Sequence, residues 1–328
     1  MNTPLSHKKI LITGGQGYLA ANLIRQLAGT DCEIVRLERV RPAGRPAEAA
    51  GIRIVHGDLT DPGIWEQVLE GVDVVFHFAA QTSVYVAWAD PLADLHVNVL
   101  PFLGLLETCR RKSWHPAILV ASSATTIGLA EQWPVEESVY ENPVTVYDLH
   151  KLALERYLKH YVREGIVRGA ALRLANVYGP GPVSSSADRG VLNLMMRRAL
   201  KGDALTVYGD GGYIRDYVYV EDVARAFVEA AVHVDRTNGG HFFIGSGQGQ
   251  TIRAALELVA ARAALKTGRN VPVQLVPPPP GLSAIESRNF VADTARFTAA
   301  TGWKPRVMLA DGIDRTLEVF LAQEKAIV

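Results

Sequence analysis

The sequence predicts an α/β fold: a doubly wound parallel sheet with helices on both faces, followed by a smaller, less regular C-terminal substrate domain. Three observations carry this. Short apolar runs alternate with helix-patterned segments through the first half of the chain, as in strands joined by crossover helices. A chain of 328 residues with 48% hydrophobic content can bury one large core or two modest ones. The alternation weakens after about Tyr178, where glycine, proline and serine crowd residues 179–190, and PPPPG follows at 277–281.

In order, KKILITGG reads as a buried strand and a glycine turn, and ANLIRQLAG has helical spacing. CEIVRLE and IRIVHGDL are the second and third strands, IWEQVLEG a helix and DVVFHFAA a fourth strand. LADLHVNVLPFLGLLETCRR is a long helix that Pro101 should bend. AILVASS is a fifth strand, VYDLHKLALERYL opens the next helix, and RGAALRLANVYG forms a sixth strand. VYVEDVARAFVEAAVH reads as helix and GGHFFIG as strand. The expected division is a cofactor domain over residues 1–176, rejoined by 216–245, and a mainly substrate-binding domain over 177–328. The proline run reads as a stiff connector.

Lys plus Arg equals Asp plus Glu at 34 each, which gives no electrostatic case for a nucleic acid or membrane partner. Two cysteines, Cys32 and Cys109, cannot make a disulfide framework or a tetrahedral zinc site, so no metal is expected and a reducing, cytoplasmic setting fits. The N-terminus runs into its first strand without a signal-peptide core, and no apolar run reads as long enough to cross a bilayer.

TGGQGYLAANL, residues 13–23, sits between the first strand and first helix. Gly14, Gly17 and Ala20 fit the spacing of a dinucleotide-binding turn, and Tyr18 and Leu19 open the helix. Small residues there let a pyrophosphate approach backbone N–H groups at the helix N-terminus. Glu38, about twenty residues on at the end of the second strand, can accept from the adenosine ribose hydroxyls and would repel a 2′-phosphate. That favours NAD over NADP, although Arg39 and Arg41 would welcome the phosphate. These features imply the Rossmann arrangement.

Tyr147 and Lys151 lie four apart, on one helical face. An ammonium beside a phenol favours the phenolate and lowers its pKa from about 10, so the tyrosine can take a proton from a sugar hydroxyl. Ser122 and Ser123 end the fifth strand, at the sheet edge where open α/β folds hold ligands. A serine there can share the reacting proton; the alternative role, a turn cap, suits Ser122 better than Ser123. His77, on an apolar strand, reads as a packed histidine.

At TGGQGYLA, VHGDL, HFAA, SSATTIG, YDLHK, RLANVYGPG, YGDGGYIRDYVYVEDVA and TGWKP the chain resembles the extended short-chain dehydrogenases/reductases, in their nucleotide-sugar epimerase/dehydratase branch. The resemblance spans nearly the whole chain. It implies Tyr147 as base, Lys151 as its partner and a ribose ligand, and Ser123 as the hydroxyl partner. Asp58 and Leu59 would flank the adenine, and Ala79 and Ala80 would line the cofactor groove. Asn98 would be a structural or active-site polar residue. Thr125, Asn176 and Arg215 would meet a nucleotide-diphosphate sugar. Family dehydratases carry an Asp-Glu pair after the catalytic Ser/Thr, where this chain has Ala124 and Thr125. SSAT instead resembles the 4-epimerases, such as those acting on UDP-glucose, which regenerate NAD in each cycle. A ketosugar reductase or dehydrogenase would use the same triad, and a non-catalytic cofactor-binding regulator is the third alternative. The departures are Asp148 and His150 between Tyr and Lys, Ile127 before Gly128, and Ser283 where the family's diphosphate arginine falls, with Arg288 as a substitute. A homodimer is implied, formed by the long helix and the Tyr/Lys helix, with Leu95, Val99, Leu103 and Leu106 supplying apolar spacing.

Overall fold

The computed structural model describes residues 5–39, 51–182 and 190–325; Arg41 and most of the 179–190 segment lie outside them. In chain order come β1 (Lys9–Thr13), α1 (Tyr18–Leu27), β2 (Glu33–Glu38), β3 (Ile52–His56), α2 (Ile64–Leu69), β4 (Val74–His77), α3 (Val84–Ala89), α4 (Pro91–Lys112) and β5 (Ala117–Ser123). A 3₁₀ turn, Ala124–Ile127, precedes α5 (Val146–Arg163), β6 (Arg168–Leu174), β7 (Asn176–Tyr178), α6 (Val191–Lys201), β8 (Leu205–Tyr208) and β9 (Ile214–Tyr219). Then follow α7 (Val220–Val232), α8 (Val234–Thr237), β10 (His241–Ile244), β11 (Gly249–Thr251), α9 (Ile252–Thr267), β12 (Val273–Val276), α10 (Ala295–Thr301) and α11 (Leu309–Lys325).

Seven strands form one sheet in the order β10-β6-β5-β4-β1-β2-β3, and each pairing is parallel. The predicted fold class is borne out. Successive strand side chains point to opposite faces. Ile10, Ile12, Phe76, Leu119 and Leu172 therefore pack against α1 and α7 through Leu23 and Phe227. Leu11, Val75, Ile118 and Val120 pack on the other face with Trp65, Phe102, Leu105, Leu154 and Leu158 from α2, α4 and α5. Each such side chain contributes roughly 1.5–3 kcal/mol on burial. Strand order reverses between β4 and β1, opening the crevice where such sheets take ligands. Thr13, Glu38, His77 and Ser123 all end their strands on that edge.

Beyond the sheet, β11-β9-β7 form a three-stranded sheet and β12-β8 a pair, over a third core built from α6, α9 and α11 with Met196, Leu256, Val259, Leu317 and Phe320. Three expectations need correction. RGAALRLANVYG is two strands broken at Ala175: β6 stays in the large sheet and β7 pairs with β9. Leu174 makes the last pairing with β5 and β10, and the Ala175 N–H still bonds the Ile244 carbonyl at 3.0 Å. The start of VYVEDVARAFVEAAVH completes β9 before α7 begins. And α4 does pass a length and composition test for a membrane span, with 22 residues and a mean hydropathy of 1.2 in its most apolar 18-residue window. Half of that window is buried within the protein, and α4 packs on α5, which reads as a core helix. Asp90 caps its N-terminus through the Ala93 N–H, and Ser113, left-handed at φ 55°, ends it. Pro101 lies inside it and offers no N–H to the Val97 carbonyl.

Candidate active site

The glycine turn packs tightly. Gly14 has φ +67°, and a Cβ there would lie 2.8 Å from the Ala79 nitrogen; a Cβ on Gly17 would lie 2.8 Å from the Gly14 carbonyl oxygen. Thr13 Oγ1 accepts from the Phe78 and Ala79 N–H groups at 3.1 and 3.2 Å, so β1 and β4 present Gly14, Ala79 and Ala80 as one cradle. Glu38 is 3% exposed, and its carboxylate accepts from Gln16 of the turn and from Arg36. Arg36 packs under Gly15, where a Cβ would strike its Cγ. Asp58 accepts from the Thr60 N–H and hydroxyl at 2.9 and 2.8 Å, and these bonds hold its carboxyl below the usual range. Leu59 packs on the core beside it. Leu19 packs against the opposite face, and the Tyr18 hydroxyl donates to the Gly179 carbonyl at 2.9 Å, so only the backbone of this pair can face a phosphate.

The α5 helix starts at Thr145, whose Oγ1 accepts from the Asp148 N–H at 3.2 Å. Its next turn presents Tyr147 and Lys151, both buried, with Nζ 5.8 Å from the phenol ring centre. The Lys151 ammonium donates to the Ala121 carbonyl of β5 at 2.9 Å, which pins the helix to the strand that ends in Ser123. The turn-cap role expected of Ser122 falls to Ser123. Ser122 donates to Glu155, itself clamped by Arg173, whereas Ser123 is the cap, accepting from the Thr125 N–H at 3.2 Å. Ser123 Oγ also lies 2.7 Å from Thr125 Oγ1, and Thr125 Oγ1 donates to Asp148.

The substrate-side residues divide. Arg215 is 3% exposed and donates to the backbone carbonyls of Glu286 and Arg288, so it clamps the 286–288 segment instead of projecting into open space. Burial, with Arg288 nearby, pulls Arg215 down to about 10. Arg288 reaches Asn176 Oδ1 at 3.4 Å, and burial lowers it too. Arg288 and the Asn176 amide, beside the three-stranded sheet, offer hydrogen-bond donors of the kind an anionic ligand takes.

The NAD dependent epimerase/dehydratase family model matches residues 10–245, most of the chain. The chain belongs to this family. A UDP-glucose 4-epimerase of Mycolicibacterium smegmatis is 30% identical over 95% of this chain and 98% of that one. A dTDP-L-rhamnose 4-epimerase of Burkholderia thailandensis is 27% identical over 97% and 96%. Among solved structures, the Thermus thermophilus UDP-glucose 4-epimerase in complex with NAD is 32% identical, covering 95% of this chain and 99% of that one, with a TM-score of 0.82. The family's NAD is the cofactor expected from Glu38.

Gln81, Asp94 and Arg36 of this epimerase/dehydratase site escaped the sequence reading; Asn98, named there as a polar residue of the long helix, binds the first two. Asn98 exchanges bonds with the Gln81 backbone and donates to Asp94 at 3.0 Å. Asp94 also takes the Gln81 amide at 2.7 Å and the His150 ring at 2.6 Å. The loop after β4 is thereby braced to α4 and α5. In this cluster Asn98 carried a signal through the resemblance, and His150 as a departure from the family pattern. Arg36 carried none: its partner lies two residues along the same strand face.

Proposed function

We propose that this chain is an NAD-dependent nucleotide-sugar epimerase that inverts C4 through a transient 4-keto sugar. What supports the reading is Lys151, 5.8 Å from the Tyr147 ring and bonded to Ala121 of the strand that ends in Ser123, together with the tight Gly14–Ala79 cradle. Bound in that cradle, NAD supplies hydride acceptance and return at the sugar carbon. Gly14, Gly17 and the backbone at Tyr18 and Leu19 would hold its pyrophosphate, Glu38 its ribose, and Asp58 with Leu59 its adenine. Tyr147 takes the C4 hydroxyl proton and gives it back; Lys151 stabilises the phenolate; Ser123 hydrogen-bonds the reacting oxygen. Asn176, Arg288 and the segment clamped by Arg215 would receive the diphosphate. Ala124 and Thr125, in place of an acid pair, disfavour a dehydratase. The division into a cofactor part (1–176 with 216–245) and a substrate part (177–328), the homodimer and the cytoplasmic setting belong to the same proposal. The relatives' names support the epimerase class, and both UDP and dTDP sugars occur among them.

The test incubates the pure protein and NAD with UDP-, dTDP-, GDP- and CDP-hexoses, following nicotinamide absorbance and product stereochemistry. An inverted sugar without net NADH is expected and names the substrate. Stoichiometric NADH, or NAD(P)H consumption with a keto-sugar, would replace the epimerase by an oxidoreductase.

A further inference from the structure

Asp148 stands one residue after the tyrosine, is fully buried, and has no counterpart among the small residues usual between the family's Tyr and Lys. Its two oxygens are used differently. Oδ2 accepts from the Thr145 hydroxyl at 2.7 Å, because Thr145 Oγ1 already accepts from the Asp148 N–H and has only its own proton to give. Oδ1 meets Thr125 Oγ1, which lies 2.7 Å from Ser123 Oγ. The result is a hydroxyl chain, Ser123–Thr125–Asp148, ending in a carboxyl group; because the cap's proton already occupies Oδ2, a proton taken up by Asp148 would sit on Oδ1.

We propose that Asp148 is a positioning residue that sets the direction of this chain, so that Ser123 donates to the reacting sugar oxygen when Asp148 is protonated. With Asp148 neutral, Oδ1–H donates to Thr125, Thr125 donates to Ser123, and the Ser123 proton is left for the substrate. With Asp148 ionised, each hydroxyl turns round, and the Ser123 proton points at Thr125. Only hydrogen-bond directions change; no covalent bond to a heavy atom is made or lost apart from the proton that Asp148 exchanges with solvent.

The surroundings shift the balance toward the neutral form. Burial raises the carboxyl above its usual range against the bonds from Thr125 and Thr145 and the field of Arg288. Tyr147 and Lys151 flank it on α5. Across the packed elements, Asp94 of α4 is paired with His150, and Arg173 of β6 with Glu155.

The inference rests on the epimerase reading for its substrate, so the wild type is assayed first: if it inverts no sugar, that reading fails by itself. The chain is then judged from the carboxyl infrared band of Asp148, its titration compared between wild type and T125V. With a substrate, kcat of the wild type should fall as pH rises through the Asp148 ionisation. D148N, whose amide carbonyl takes the Thr145 proton and whose NH₂ faces Thr125, should stay within about threefold of the low-pH kcat and lose that descending limb. T125V, which leaves Asp148 in place, should lose about tenfold in kcat with KM little changed, and lose the limb as well. The double variant should be no worse than T125V. A merely structural Asp148 predicts a lower Tm for D148N and an unaltered limb. A limb retained in either single variant, or an Asp148 band whose titration ignores T125V, would overturn the proposal.

Discussion

His77 shows how burial decides the role of a titratable side chain. It lies between Trp65 and Phe102, with Nδ1 3.1 Å from Thr13 Oγ1. Burial, with the Lys151 charge nearby, lowers it to about 3, so it stays neutral and packs, as its apolar strand suggested. The unfolded chain protonates this imidazole near the usual 6.5, and the folded chain refuses the proton until about 3. Folding stability from His77 is therefore complete above pH 6.5 and falls as the pH drops through that window, by up to about 1.4 kcal/mol per pH unit. H77Q should flatten this acid slope, read from urea unfolding on either side of about pH 6.5. Tyr147 is the counter-case, a buried phenol kept beside an ammonium. Tyr147→Phe should lose about 10²–10⁴ in kcat while NAD affinity is retained, measured by turnover and by titration calorimetry. The Tyr/Lys spacing and the glycine turn were legible because a helix and a strand–turn–helix fix those geometries locally. The contacts of Asp148, Arg288 and Asp94 were not, because their partners lie 23, 112 and 56 residues away.

At the scale of elements, the glycine turn separates two effects of the same substitution. G14A places a methyl at positive φ and within 2.8 Å of the Ala79 backbone, so it should cost roughly 1–3 kcal/mol and weaken NAD binding. Gly29 has φ +83° with nothing within 4 Å of a Cβ, so G29A should carry only the backbone cost, about 1–2 kcal/mol, with NAD affinity unchanged. Thermal unfolding and calorimetry separate the two. The first six strands were readable because apolar runs flanked by turns are strong local signals. The β6–β7 break was not, since no glycine or proline interrupts AALRLANVY and only the strand pairings show where β6 ends. Helix α3 was missed because VYVAWA is rich in β-branched and aromatic residues; the Ser83 cap and the packing of Ala87 hold it.

For the molecule as a whole, the residues expected to join two copies serve another purpose. Val99 and Leu106 are buried in the core of one chain, and Leu95 and Leu103 pack against it. The apolar side chains that face outward on the same two helices are Leu92 and Leu100 of α4, at 76% and 46% exposed, and Leu149 and Tyr157 of α5, at 53% and 38%. Leu92 and Leu100 lie two helical turns apart on one face. Light scattering at micromolar concentration should report a dimer, and L100E/L149E should report a monomer that keeps its far-UV spectrum; a monomeric parent would exclude this assembly. Periodicity showed that these helices have apolar faces, but not which neighbour each face meets.

The single residue between β6 and β7 has a further consequence. Ala175 alone carries the chain from one sheet to the next, bonded to β10 as it passes, and β9 runs into α7 with no intervening residue. Joints so short are bolts, not hinges. So few free dihedrals should leave the relative placement of the two sheets little changed when a ligand arrives. On the proposed epimerisation, a sugar turning over between two hydride transfers would do so within that frame, and selectivity would become a matter of gauge: a ligand with too wide a sweep is stopped by the frame itself.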